Sequence, residues 1–486
     1  MKFLNGRQVE PQIVNLRHWA LATLCPIIVM VLAMAFKPLW RDEYWSLFFA
    51  DPSFSFSELL SGRLRDEVHP PFYYFLLHGW QHITSNVFAY RFLSPVILII
   101  SAIMLRALTP KAHLRQLAIF LLICAGSYWV IYFSTEIRPY ILLFSLASIS
   151  VFIVPKLISD EPLSITTCLM WSLIGGALGV THYFGALWFA CIGFTCGVSV
   201  LARGYKARFF IIGLFTLIGL IPVMYWLLIS FSQMDLSGEE MVRPLFAELG
   251  FVINQLLRGL LVKTFGSNPL VTYLGFGGLW FAFRLKNRVS AALLWAVLLT
   301  IIIAFVIHFS FVALIKERAF SVIMPALLFI FAYHISDRKS VSMRFIPLVT
   351  LLMPLLFWGE YFKNREKIPE LRETLSTYSE ICKGQTVLAY YTSSSMHEDF
   401  NPMASRRIID FTKDGVAFDV KLLDAKTTNE ITKTSCPVKA VGFLMSRRHS
   451  ESLIDARTVL QDAGVSLDAV EEIKFGKGRN IIWVEK

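Results

Sequence analysis

Charge is scarce in this chain. Asp, Glu, Lys and Arg together make up 17% of its 486 residues, against 55% hydrophobic residues and a mean hydropathy of +0.57. A soluble protein of this length carries more charge, so the shortage points to a polytopic membrane protein. The sequence also lacks a Walker-type glycine loop and a dinucleotide fingerprint, so energy for any reaction has to come from the substrate itself or from a gradient. Its seven cysteines include no C-x-x-C pair and no Cys/His spacing of a zinc site. No internal repeat stands out, which argues against the duplicated architecture of many transporters.

Long apolar runs are what the chain does have. Spans are expected near 19–36, 88–105, 116–133, 140–155, 168–181, 183–201, 209–229, 269–283, 290–310, 319–335 and 345–360. The net charge of +11 falls largely in short clusters between these runs, where it sets topology rather than binding nucleic acid. With the N-terminus inside, Lys2, Arg7 and Arg17, then Arg106, Lys111 and Arg115, then Lys156, all fall on the cytoplasmic side. Arg203, Lys206 and Arg208, then Arg284, Lys286 and Arg288, then Arg338, Lys339 and Arg344 follow them there. About eleven transmembrane helices are therefore expected, N-terminus inside and C-terminus outside. Ala33-Met34-Ala35 resembles a cleavage site, but the preceding segment is too long and too weakly basic for a signal peptide.

After Trp358 the composition turns polar. Residues 1–360 are expected to form a transmembrane domain with a first outer loop over 37–87, and 361–486 a small α/β extracytoplasmic domain. Strands are predicted at Thr386–Tyr391, Val438–Leu444 and Asn480–Val484, with a helix over Ser452–Asp462. Cys25, Cys124, Cys168, Cys191 and Cys196 lie in or beside spans and read as buried packing. Cys382 and Cys436 are the two cysteines of the tail, and a disulfide between them is open if the tail is in an oxidising compartment.

On this topology the unusual polar residues collect on one side. Asp42 and Glu43 follow the first span in Trp40-Arg41-Asp42-Glu43-Tyr44-Trp45. Glu67 and His69 lie in the same outer loop, before Pro70-Pro71-Phe72-Tyr73-Tyr74. Glu136-Ile137-Arg138-Pro139-Tyr140 makes the next outer turn, Thr181-His182-Tyr183-Phe184-Gly185 the one after, and Lys316-Glu317-Arg318 precedes the tenth span. Each has a plainer reading. Asp42 can pair with Arg41 at a wet helix end, the arginines can snorkel, and His78 and His82, four apart, read as interfacial groups rather than metal ligands. Taken together they suit chemistry: arginines can grip a phosphate leaving group, and a carboxylate can take a proton from an attacking hydroxyl.

In this order and on one side, the motifs resemble those of the polytopic GT-C glycosyltransferases, in the bacterial branch related to protein O-mannosyltransferases and lipid A aminoarabinose transferases. The resemblance covers about residues 15–360. It implies a GT-C-like helical membrane protein of the bacterial inner membrane, with the active site and the tail on the extracytoplasmic face. It implies transfer, with inversion, of a sugar from a polyprenyl-phosphate donor to an acceptor hydroxyl of a glycan, lipid or protein. Carried over by position, Asp42 is the general base and Glu43 a supporting carboxylate. Arg138 and Arg318, with Lys316, hold the donor phosphate. Glu67, His69, Tyr73, Glu136, Tyr140, His182 and Tyr183 line the sugar or acceptor pocket. Metal use varies in the family, and no ligand set in this sequence decides it. The aminoarabinose branch has Glu-Lys before the paired prolines where this chain has Val68-His69, so sugar and acceptor stay open. The alternatives are a transporter or flippase of lipid-linked sugars, and a scaffold whose exported tail binds a partner.

Overall fold

The computed structural model describes residues 28, 30–32, 34, 41–62, 64, 69–84, 86–231, 250, 252–254, 287–310 and 317–337, with strands at 387–391, 418–422, 438–441, 470–475 and 478–484. The chain divides into two compact units: residues 1–37 with 49–358, and residues 38–48 with 359–486. Each is described by itself.

The polar first loop contributes three helices. Helix α1 (Arg41–Phe49) carries the acidic pair. Helix α2 (Phe56–Ser61) opens on a capping box, with the Ser55 hydroxyl accepting from the Glu58 amide and the Glu58 carboxylate accepting from the Ser55 amide. The Ser55 hydroxyl also donates to the Glu58 carboxylate at 2.7 Å, and this bond, together with that from the Ser55 amide, holds the Glu58 carboxyl below its ordinary value. Helix α3 (Phe72–Ile83) starts directly after Pro70-Pro71, because prolines cannot donate the amides that a helix start leaves unpaired.

The helical bundle follows. Asn86 caps α4 (Val87–Tyr90), which runs into α5 (Leu93–Leu108). Then come α6 (Leu114–Gly126), α7 (Tyr128–Ser134), α8 (Tyr140–Leu157), α9 (Ile165–Gly179) and α10 (Tyr183–Leu201). After them come α11 (Lys206–Phe231), α12 (Arg288–Ser310) and α13 (Met324–Asp337). Among the described residues, five helices are long and apolar enough to cross a membrane, or six if α6 and α7 count as one span.

Two expected spans take a different form. The run over 116–133 is not one helix but α6 and α7, bent by 70°. Ser127, at φ −76 and ψ 125, is extended, and a Gly-Ser pair is a common site of such breaks. The run over 319–335 opens with a 3-10 segment, Glu317–Val322, before α13 begins. The expected spans at 269–283 and 345–360, nearly all of 19–36, and Cys25, Cys382 and Cys436 lie outside the described residues, as does the predicted helix Ser452–Asp462. Cys124, Cys168, Cys191 and Cys196 are free and buried, as packing residues should be.

Helix α8 is the centre of the bundle: sixteen of its eighteen residues are buried, and α5, α9 and α13 pack around it. At the periphery, Phe210, Leu214, Leu217, Ile221, Met224 and Leu228 stand exposed along α11 at spacings of three and four, the period of a helix side that faces hydrocarbon. Glycines let α9, α10 and α11 approach closely. A methyl on Gly175 would overlap the buried Phe189 ring, and one on Gly193 would lie 2.5 Å from the Thr216 hydroxyl oxygen. The helices between which these glycines sit hydrogen-bond across the gap, Trp171 Nε1 donating to Thr216 Oγ1 at 2.9 Å.

The opposite turns of the bundle differ in chemistry. At one end, Arg203 pairs with Asp160 at 2.7 Å and donates to the Ile158 carbonyl, while Arg208 donates to the carbonyls of Ser159 and Glu161. These basic residues latch the α8–α9 connection to the start of α11. The turns at the other end carry the motifs.

In the second unit, β1 (Val387–Tyr391), β2 (Phe418–Leu422), β3 (Val438–Val441), β4 (Val470–Phe475) and β5 (Gly478–Val484) form one mixed sheet in the order β2-β1-β3-β5-β4. Strand β1 runs parallel to β2 and β3, whereas β5 runs antiparallel to β3 and β4. Three strands match the expected ones with shifted ends; β2 and β4 were not expected.

The glycine contacts predict a contrast within the bundle. Gly175→Ala should lower stability by about 1–3 kcal/mol through overpacking against Phe189. Gly213→Ala, with open space around its Cβ, should be neutral or stabilising by up to about 1 kcal/mol. Thermal unfolding of both purified variants in one detergent checks this.

Candidate functional site

The turn between α7 and α8 is short, charged and buried. Thr135 and Glu136 are 0% exposed, Ile137 1% and Arg138 4%. Loops usually run over the surface, and two charges inside one are costly unless each meets a polar neighbour. Local bonds tie the turn down: Thr135 Oγ1 donates to the Tyr132 carbonyl at 2.8 Å, and Ser94 Oγ from α5 reaches the Glu136 carbonyl at 3.5 Å. The Tyr132 hydroxyl hydrogen-bonds the Glu136 carboxylate and also lies in the field of Arg318.

Three further elements meet this turn. The amide of Phe72 donates to the Val180 carbonyl at 2.9 Å, which pins the start of α3 to the α9–α10 turn. That bond brings His69 beside His182, with ring centroids 5.1 Å apart. Tyr140, the first residue of α8, lies 6.5 Å from the His69 ring and 6.1 Å from the His182 ring. Arg318, in the 3-10 segment before α13, places its guanidinium carbon 5.9 Å from the Tyr140 ring centroid. Behind this group Phe133 packs on Tyr140 at 4.9 Å, and Phe184 on His182 at 5.9 Å.

His182 is fixed in one protonation form. Its Nδ1 accepts the Phe184 amide at 3.2 Å, capping α10, so the ring hydrogen sits on Nε2. Burial holds the imidazole well below its usual range, and the charges of His69 and Arg138 push the same way. The site therefore presents one neutral imidazole N–H in the field of Arg138. Gly185 makes this turn possible: a Cβ there would strike the Leu178 carbonyl across the α9–α10 junction.

The structure thus gathers His69, Glu136, Arg138, Tyr140, His182 and Arg318 at one end of the first unit, with Tyr183 half-buried at the first position of α10. Tyr73 is buried against Tyr74 at 5.9 Å within α3. Glu43 is fully buried on α1, in the second unit. The side chains of Asp42 and Glu317, and all of Glu67 and Lys316, lie outside the described residues. Tyr132 is the member that motif reading missed. Its sequence signal is its place four residues before Glu136, one helical turn back. Among the described residues, no group of three or more His, Cys, Asp or Glu is placed to hold a metal ion.

This arrangement can do particular things. Two guanidinium groups offer paired donors to an anionic oxygen, the neutral imidazole adds another, and Tyr140 gives a flat face for a sugar ring.

Solved structures of ArnT from Cupriavidus metallidurans match the chain along almost all of its length. The form bound to undecaprenyl phosphate aligns with a TM-score of 0.54 and 12% identity, over 96% of this chain and 98% of that one. The apo form aligns with a TM-score of 0.55 and 12% identity over the same shares. At this identity the likeness speaks for the fold, and the chain has the polytopic GT-C fold that its span-end motifs led us to expect. No family model matches the sequence. No curated protein matches it either.

His182 gives a pH-dependent prediction. Between its lowered folded value and the ordinary unfolded value of about 6.5, the unfolded chain holds a proton that the folded chain rejects. Its contribution to stability is therefore full above about pH 6.5 and is lost as pH falls toward the folded value. His182→Asn keeps a capping acceptor but does not titrate. Melting temperatures from pH 8 to pH 5 should fall less steeply for this variant than for the parent.

Proposed function

We propose that this chain is a membrane glycosyltransferase that moves a sugar from a polyprenyl-phosphate donor to an acceptor hydroxyl on the outer face of the membrane, with inversion. The observation that carries this reading is the convergence of Arg138 and Arg318 on the His69–Tyr140–His182 group at one end of an ArnT-like bundle. A donor whose lipid tail stays in hydrocarbon brings its phosphate to such a rim. The ArnT structure with undecaprenyl phosphate supports a ligand of that class. Basic residues latched at the opposite end of the bundle agree with a cytoplasmic position for that end.

In this reading Asp42 takes the proton of the acceptor hydroxyl, and the oxygen attacks the anomeric carbon as the bond from that carbon to the phosphate oxygen breaks. The electron pair leaves on the lipid phosphate, where Arg138, Arg318 and Lys316 stabilise it. Glu43 supports the base. His69, Glu67, Tyr73, Glu136, Tyr140, His182 and Tyr183 shape the sugar or acceptor pocket. Residues 361–486 form an extracytoplasmic domain. The donor arrives already activated, in keeping with a sequence that carries no nucleotide-binding motif.

Two substitutions test the assignment. Asp42→Asn should keep the elution profile of the folded protein and lose transfer, read by mass spectrometry of lipid-linked sugars before and after incubation with membranes. Transfer at the parent rate would remove Asp42 from the role of base. Arg318→Gln should weaken donor use by about 10–100-fold, as expected for one charge-assisted bond of about 1.5–3 kcal/mol, with the larger change in KM.

A further inference from the structure

His78 and His82 lie one turn apart on α3 and take no part in the site above. Their Nε2 atoms are 3.3 Å apart, and the rings stand at 89° to each other with centroids 4.7 Å apart. The other nitrogen of His78, Nδ1, is 3.3 Å from the Ala50 carbonyl oxygen. A carbonyl can only accept, so the His78 hydrogen is on Nδ1 and its Nε2 presents a lone pair. The same carbonyl accepts from Gln81 Nε2 at 2.7 Å, which fixes it from a second side.

A histidine oriented through one N–H by a backbone carbonyl, with the other nitrogen left as an acceptor, has the usual posture of a metal ligand. Two Zn–N bonds of about 2.0–2.1 Å at a tetrahedral angle set the nitrogens about 3.4 Å apart. The observed 3.3 Å is already that separation, held by a helix turn and a buried hydrogen bond.

We propose that His78 and His82 form a binding site for a divalent cation of zinc type, held by two imidazole nitrogens with water in the remaining positions. His82 is exposed and gives the ion its approach, while the buried His78 anchors it. For the ion to bind, the hydrogen that His82 places between the two Nε2 atoms moves to its Nδ1, so that both Nε2 atoms offer lone pairs. Binding also has a mechanical consequence. A cation on Nε2 makes the His78 Nδ1–H a stronger donor, which tightens its bond to Ala50, the residue directly after α1. Loading the site therefore fastens Ala50 to α3.

The test uses the full chain in detergent, with any affinity tag removed and bound metal stripped by a chelator. Zn2+ is titrated in competition with a chromophoric chelator, and Co2+ absorption reports the ligand field. The parent should bind one more Zn2+ per chain than His82→Ala, and Zn2+ should raise the unfolding temperature of the parent but not of the variant. His82 is exposed, so its replacement leaves packing intact. His78→Gln should cost at least tenfold in affinity. Equal Zn2+ stoichiometry and affinity in the parent and His82→Ala would overturn the proposal, as would a parent that binds no Zn2+.

Discussion

Two opposite charges enclosed in five residues of turn set the terms for the motif-bearing end of this bundle. Glu136 and Arg138 are almost wholly removed from water, and neither charge is tolerable without neighbours. Tyr132 answers the carboxylate, and the neutral form of His182 accommodates the guanidinium, because a charged imidazole beside it would be repelled. The packing of four separate elements follows from that need. The loop before α3, the α7–α8 turn, the α9–α10 turn and the 3-10 segment before α13 each bring one polar or aromatic group to the same spot.

Much of this end could be read in the sequence, because lipid makes polarity at helix ends conspicuous. His69, Glu136, Arg138, Tyr140, His182 and Arg318 interrupt or border apolar runs, and each motif marks a turn that the structure places at the same rim. Tyr132 escaped notice because a tyrosine inside an aromatic run looks like packing. The break at Gly126-Ser127 was equally hidden, since both residues are also ordinary in a membrane helix. Gly185 reads as one more small residue until the Leu178 carbonyl is seen against it.

The strands show the same division between pattern and context. Phe418-Asp419-Val420-Lys421-Leu422 alternates strictly, a signal that a search for apolar runs passes over. Val470–Phe475 carries the adjacent acids Glu471 and Glu472, which spoil the alternation; its partner β5 supplies the register that local sequence lacks. The histidines at 78 and 82 are the converse. Their spacing was visible, but only the Ala50 carbonyl separates an oriented pair from two interfacial side chains.

Helix α8 has no lipid-facing side, yet its sequence is as apolar as that of a span surrounded by hydrocarbon. During synthesis a segment must enter the bilayer before the helices that will enclose it have been made, so α8 is written for a solvent it later leaves. Ser145, Ser148 and Ser150 are the polarity that this passage tolerates: Ser148 and Ser150 donate back to their own helix, and Ser150 also receives Trp188 once α10 has arrived. Once assembled, α8 holds Tyr140 on a support sheathed in protein, so changes in bilayer thickness or composition reach the aromatic floor of the site only through its neighbours.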